Sequence, residues 1–243
     1  MENFVNTLNG YIWSNALILL ALGAGLFFSL KTRFVQIRLF KEMVRLLFSG
    51  TSSNKGISSF QALSVSLSGR VGTGNIAGVA AAIGFGGPGA VFWMWIVAFL
   101  GASTAYIEST LGQIYKEEQD GEYRGGPAYY IEKAMGAKWF AWIFAIAIIV
   151  ANGILLCGVQ ANSIGNAVEL ALGGGQTVDT FFGPLSSIKI STAIVVLILL
   201  AFIVFGGVKR IANVTQVIVP FMALAYIIIA LTIIGLNISQ LPD

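Results

Sequence analysis

The stretch Ser64-Val65-Ser66-Leu67-Ser68-Gly69-Arg70-Val71-Gly72-Thr73-Gly74-Asn75-Ile76-Ala77-Gly78 lies in the middle of an apolar segment, residues 59–84, long enough to cross a bilayer as a helix. Its glycines at 69, 72 and 74 each lower helix propensity by ~1 kcal/mol relative to alanine, and a mid-span arginine costs ~2.5–3.5 kcal/mol on insertion scales. A lipid-facing helix does not carry that load. Irregular backbone at membrane depth is tolerated only where it is buried in protein or lines a wet cavity, so the run predicts a helix broken at Gly72–Asn75 beside such a cavity. The glycines alone also fit a second reading, in which Gly69, Gly74 and Gly78 are small contact positions for a neighbouring helix. Arg70, Thr73 and Asn75 favour the break.

The rest of the chain reads as an all-α membrane protein. Of its 243 residues 56% are hydrophobic and 10% charged, against ~25% charged in soluble domains. Six stretches read as spans: about 13–30, 59–84, 90–114, 139–168, 190–208 and 213–236. Residues 1–30 contain no Lys or Arg, so the first is a retained span rather than a cleaved leader, and the N-terminus is expected outside. Six spans from that start put loops 31–58, 115–138 and 209–210 inside, in a plasma (inner) membrane. They carry Lys31, Arg33, Arg38, Lys41, Arg45 and Lys55, then Lys116, Arg124, Lys133 and Lys138, then Lys209 and Arg210; the outer side carries only Lys189. The absence of histidine and the single cysteine, Cys157, exclude histidine-based catalytic triads, histidine metal sites and an internal disulfide. A net charge of +3 gives no basic surface for nucleic acid. No enzyme activity is expected.

Between the spans, Arg38, Lys41 and Arg45 recur at helical spacing while Phe40, Met43, Val44 and Leu47 line another face, so residues 34–48 are expected to lie along the lipid bilayer as an interfacial helix. Lys116 to Arg124 reads as a polar surface hairpin, and Pro127 is placed to start a short helix to Met135. Residues 173–188 read as an irregular outer loop, Gly206-Gly207 as a tight inner turn, and Pro220 as a kink in the last span.

A helix break exposes N–H groups at the start of one half-helix and carbonyls at the end of the other; the first suit a carboxylate, the second a cation. Val71 to Ile76 therefore has the parts to hold a zwitterionic amino acid together with Na⁺. A second polar stripe runs through 139–168, with Asn152, Gln160, Asn162, Ser163 and Asn166. Buried amides there suit either a small substrate or helix-to-helix hydrogen bonds; Gln160 is the foremost candidate and Asn152 the one nearer the middle of the span. Arg70 and Glu108 are expected to form a structural charge pair between neighbouring spans.

These residues resemble a known family, the alanine or glycine:cation symporters, also called the sodium:alanine symporter family. Gly86-Gly87-Pro88-Gly89-Ala90-Val91-Phe92-Trp93-Met94-Trp95-Ile96-Val97-Ala98-Phe99-Leu100-Gly101 matches the family signature, Ser68 to Gly78 looks like its substrate-binding broken helix, and Arg124-Gly125-Gly126-Pro127-Ala128-Tyr129-Tyr130 extends the match. The resemblance implies a leucine-transporter-like (amino acid–polyamine–cation) fold. One five-helix repeat would begin with a broken first core helix at 59–84, preceded by an extra N-terminal helix. It implies that Thr73, Gly74 and Asn75 hold the substrate carboxylate, that Gln160 contacts the substrate, and that the backbone carbonyls of Ser68 and Val71 contribute to a Na⁺ site.

The activity so implied is Na⁺-coupled symport of small neutral amino acids, alanine or glycine, by alternating access. Proton coupling is the rival, but the acids within spans, Glu108 and Glu169, lie outside the motif. Arg70 stands where related transporters place a small residue at an additional sodium site, which points to one such site rather than two. The fold also requires a second repeat, so the chain is expected to be the N-terminal part of a longer protein, ending in an outer loop at Leu241-Pro242-Asp243, with the missing C-terminal repeat as its partner. The alternative is a non-transporting membrane structural or assembly subunit.

Overall fold

A computed structural model describes residues 2–49, 56–119, 121–180 and 183–238. Lys55 of the first basic loop, Asp120 of the hairpin and the end at Leu241–Asp243 lie outside the described residues. In chain order the helices are α1 (Glu2–Ile12), α2 (Asn15–Lys31), α3 (Val35–Arg38), α4 (Phe40–Ser49), α5 (Ser59–Arg70), α6 (Val79–Gly86) and α7 (Gly89–Ile114). The antiparallel strands β1 (Glu117–Gln119) and β2 (Glu122–Arg124) follow, then α8 (Pro127–Met135), α9 (Lys138–Ile148) and α10 (Cys157–Leu172). A second antiparallel pair, β3 (Thr177–Thr180) and β4 (Gly183–Ser186), precedes α11 (Ser187–Val204) and α12 (Gly207–Leu236). Two π-helical stretches, Gly74–Gly78 and Ile149–Leu156, join α5 towards α6 and α9 to α10.

Among the described residues, five helical segments are long and apolar enough to span a membrane: Asn3–Lys31, Gly89–Ile114, Lys138–Leu172, Ser187–Val204 and Gly207–Leu236. The protein is a mostly helical, multi-pass membrane protein. The expected span 59–84 is not one continuous helix but α5 and α6, because the backbone leaves the helix after Arg70. Leu199, Phe202 and Ile229 are among the many exposed apolar side chains of the spans, the pattern of helices whose solvent is hydrocarbon.

The chain divides into two units, one built from residues up to Leu46 and Ala77–Ile149, the other from Leu47–Ile76 and residues from Val150 onward. In the first, α2 packs on α7 through small residues. A Cβ added to Gly25 would lie 2.9 Å from Leu100 Cβ, and the buried Ser29 donates its hydroxyl to the buried Ser103 at 3.0 Å. Small residues permit the close approach that supplies van der Waals packing where lipid gives no hydrophobic drive. Gly87, at φ +69°, turns the chain from α6 into α7. In the second unit α5 lies against α12, where Gln61 Nε2 donates to Asn213 Oδ1 at 2.8 Å, and α10 packs on α11 with Glu169 and Lys189 3.1 Å apart.

Several local expectations change. Residues 173–188 are not an irregular loop, since β3 and β4 form a hairpin there, its ladder running from Thr177 opposite Ser186 to Thr180 opposite Gly183. The turn expected at Gly206-Gly207 falls at Phe205–Gly206, and Lys209 and Arg210 lie in the first turn of α12. Arg210 Nη1 donates to the Phe202 carbonyl at 2.9 Å, so the cation caps the end of α11 rather than standing in a loop. Pro220 lies inside α12, which runs over Gly207–Leu236. α8 begins at Pro127, whose missing N–H costs nothing in a first helical turn.

Candidate functional site

The geometry of the break follows from where its N–H groups point. α5 opens with a reciprocal cap: Ser58 Oγ accepts from the Gln61 N–H at 3.2 Å and Gln61 Oε1 accepts from the Ser58 N–H at 2.9 Å. The last helical donor is the Val71 N–H, which reaches the Leu67 carbonyl at 2.9 Å, and Val71 itself is extended at φ −102°, ψ 110°. A continuous helix would next send the Gly72 N–H to the Ser68 carbonyl and the Thr73 N–H to Gly69. Instead the Gly72 N–H donates to Asn75 Oδ1 at 3.3 Å and the Thr73 N–H to Gln160 Oε1 at 3.2 Å. The carbonyls of Ser68 and Gly69 thereby lose their helical donors. The Asn75 N–H turns back to the Gly72 carbonyl at 3.1 Å, so the Val71 carbonyl loses its donor as well.

Each half of the break thus presents one kind of group. The end of α5 offers carbonyl oxygens without helical partners, a hard all-oxygen set suited to a monovalent cation. The start of the following helical turn offers N–H groups whose acceptors are two neutral side-chain amides, at the positive end of a helix dipole. Gln160 sits in α10 and is partly buried. Its Nε2 lies so near Gly72 that a Cβ there would be 2.5 Å away, whereas a Cβ at Gly69, Gly74 or Gly78 would meet nothing within 4 Å. Among these glycines, close approach explains Gly72 alone. The small-residue reading of Gly69, Gly74 and Gly78 finds no neighbour among the described residues.

The structure therefore brings Thr73, Asn75 and Gln160 into one hydrogen-bonded group, with Gly74 between the first two. It adds Gly72, expected as part of the break but not as a contact, whose lack of a side chain admits the Gln160 amide. A glycine eighty-eight positions from a polar residue gives no periodic signal. Ser68 donates its hydroxyl to the Val65 carbonyl at 2.7 Å, within its own helix, so its carbonyl rather than its side chain faces the ion question. Arg70 and Glu108, expected as a charge pair, are both exposed and belong to different units. Within its own unit, the charge of Glu108 adds to burial in raising the Tyr130 phenol above its ordinary range.

The other amides of the polar stripe do not join the group. Asn162 lines a cavity of about 440 Å³ with Thr180 and Lys189, and Asn166 one of about 450 Å³ with Glu169 and Gly173. Asn152 lies in the π-helical stretch, where its carbonyl accepts from Cys157 Sγ at 3.2 Å. π-Helical turns are found disproportionately at functional positions, and both here adjoin polar residues nominated from sequence.

An interrupted helix inside a multi-pass helical membrane protein, with N–H groups on one side of the gap and carbonyls on the other, defines a protein of the solute-transporter class. The whole chain, residues 1–243, matches the sodium:alanine symporter family, and the protein belongs to that family. It is 56% identical over 242 residues to the "putative sodium/proton-dependent alanine carrier protein YrbD" of Bacillus subtilis, covering 100% of this chain and 47% of that protein. It is 42% identical to the "probable sodium/glutamine symporter GlnT" of the same organism (100% and 48% covered), and 38% identical to the "sodium/alanine symporter AgcS" of Methanococcus maripaludis (98% and 52%). The chain spans about half the length of these curated relatives.

Proposed function

We propose that the chain supplies the substrate-binding and ion-binding break of a Na⁺-coupled symporter for small neutral amino acids such as alanine or glycine, working by alternating access. The observation that carries the reading is the Thr73 N–H donating to Gln160 Oε1 across eighty-seven residues at 3.2 Å. It joins two polar stretches that were nominated independently. A substrate carboxylate takes the place of the Gln160 and Asn75 amide oxygens at the Thr73 and Gly72 N–H groups, a change that adds charge to each hydrogen bond and roughly doubles its strength. The displaced Gln160 amide then reaches the substrate itself. The carbonyls of Ser68 and Val71 hold the Na⁺ transported with it.

Sodium rather than proton coupling is supported by the acids within the spans. Glu169 is committed to Lys189 at 3.1 Å and Glu108 lies outside the break. The leucine-transporter-like arrangement, with α5 and α6 as the broken first core helix of a five-helix repeat, accounts for the break and for relatives twice the length of this chain. The asymmetry of twelve basic residues against Lys189 supports an outside N-terminus in the plasma membrane.

The test is uptake of radiolabelled alanine by proteoliposomes, with and without an inward Na⁺ gradient, for the chain, for any longer natural form, and for Asn75→Ala of each. Uptake that needs the gradient and is lost in Asn75→Ala supports the proposal. Gradient-independent uptake overturns the Na⁺ coupling; no uptake in any form overturns the proposal and leaves the non-transporting structural subunit.

A further inference from the structure

The corner after α2 is strained in a way the transport site does not use. Arg33 and Phe34 both adopt left-handed backbone, at φ 54° and φ 51°, a conformation that costs a non-glycine residue roughly 1–2 kcal/mol. It persists because its surroundings hold it. The Phe34 N–H donates to the Ser29 carbonyl at 2.7 Å, Val35 is 3% exposed with α3 packed on α7, and Gln36 Nε2 donates to the buried Ser29 hydroxyl at 3.1 Å. Strained backbone fixed by tertiary contacts marks a place where direction matters. Here it fixes the direction in which α3 and α4 leave the bundle.

What it presents is α4, a helix with no buried residue. Phe40 is 63% exposed and Phe48 76%, with Met43 and Val44 on the same face also exposed. On the adjoining face of α4 stand Lys41 and Arg45, preceded at a spacing of three by Arg38 at the end of α3, and before it by Lys31 and Arg33. Glu42 pairs with Arg45, and none of the ion pairs among described residues involves Lys31, Arg33, Arg38 or Lys41. An exposed apolar face beside a basic one, on a chain that spans the membrane, fits the boundary between headgroups and acyl chains.

We propose that α3 and α4 form a docking surface for anionic phospholipid, with Phe40, Met43 and Val44 in the acyl boundary and Arg38 and Lys41 on the headgroup phosphates. The surface is independent of the transport site and stands whether or not the symport reading does. A second protein covering the apolar face would leave the basic face without a function; anionic lipid uses both.

The experiment places a nitroxide at Met43→Cys in a Cys157→Ser background of the full chain, in nanodiscs of phosphatidylcholine alone or with phosphatidylglycerol. Its accessibility to oxygen and to a water-soluble nickel complex is then measured. With phosphatidylglycerol the label is expected to be open to oxygen and closed to nickel. Neutralising Arg38→Gln and Lys41→Gln is expected to lower the docked-to-undocked ratio by roughly 30-fold there, at about a factor of five per charge, and to change nothing in phosphatidylcholine. The charge-keeping pair Arg38→Lys and Lys41→Arg restores docking, which separates lost charge from lost folding. Inorganic phosphate added to phosphatidylcholine discs does not substitute for the lipid. A label open to nickel in anionic discs, a neutral variant that docks equally, or a label closed to both reagents because protein covers it would each overturn the proposal.

Discussion

At the scale of single residues, the site turns on one amide. Gln160 Oε1 accepts from Thr73 while Nε2 faces Gly72, so the same side chain reads both the donor and the missing side chain of the break. Gly72→Ala puts a methyl 2.5 Å from Nε2 and drives the amide out of place. Because Nε2 is the far end of a flexible side chain, the amide swings aside at little cost in stability and loses its hydrogen bond with the Thr73 N–H; alanine affinity measured by equilibrium binding is expected to fall by roughly two- to tenfold. Gln160→Glu separates a structural from a binding role. A carboxylate still accepts from Thr73, so thermal stability is retained, but its charge repels the substrate carboxylate and Na⁺-driven uptake is lost. If Gln160→Glu transports normally, Gln160 only ties the break to α10. Thr73, Asn75 and Gln160 were legible because polar groups within membrane spans are costly and therefore few. Gly72 was legible as part of the break, but its close approach to Gln160 was not, because that partner lies on another helix.

At the scale of elements, the hairpin after α7 is fastened by Lys133 of α8, which bonds the Tyr115 carbonyl at 3.1 Å and Glu117 at 2.7 Å. A cation on the last carbonyls of α7 complements that helix's negative end. Lys133, through its hydrogen bond and its charge, holds the Glu117 carboxyl below its ordinary value of 4.5. The folded form therefore binds this proton less readily than the unfolded one, so the contribution is present above pH ~4.5 and is lost as pH falls through the depressed value. Hydrogen-exchange protection of β1 and β2, taken relative to the intrinsic rate at each pH, is expected to fall on acidification in that window, and Lys133→Ala to show the low protection already at neutral pH. Tyr130 shifts the other way. Burial first, then the charge of Glu108, favours the neutral phenol, so stability from this group is lost as pH rises through the range between its ordinary and raised values. Glu108→Gln is expected to lower the Tyr130 ionisation midpoint, read as the ultraviolet difference against Tyr130→Phe; no movement would remove Glu108 from the neighbourhood of that phenol. The hairpin and α8 were visible in advance from their charges and from Pro127. The β3–β4 hairpin was not, because backbone pairing with no clear alternation leaves little trace in glycine- and proline-bearing sequence.

At the scale of the whole molecule, membrane topology is the property the sequence specifies most strongly. In a Cys157→Ser background, Lys189→Cys is expected to react with a membrane-impermeant maleimide on intact cells while Lys133→Cys reacts only after lysis; the reverse pattern would invert the proposed orientation. By itself the sequence determined the class: spans follow from runs of apolar residues longer than the hydrocarbon thickness, and the broken span from polar residues whose cost there must be offset. It also determined the family, through motifs that run the length of the chain. Only the tertiary structure decided which acceptors the freed Gly72 and Thr73 N–H groups find, and that Gln160, not Asn152 or Asn166, meets the break. It likewise decided that Ser29, Ser103 and Gln36 form a buried network and that Gln61 meets Asn213. The physical reason is the same in each case. The cost of a polar group in the membrane is local and can be read from one segment, whereas the partner that relieves it lies on another helix and is chosen by packing.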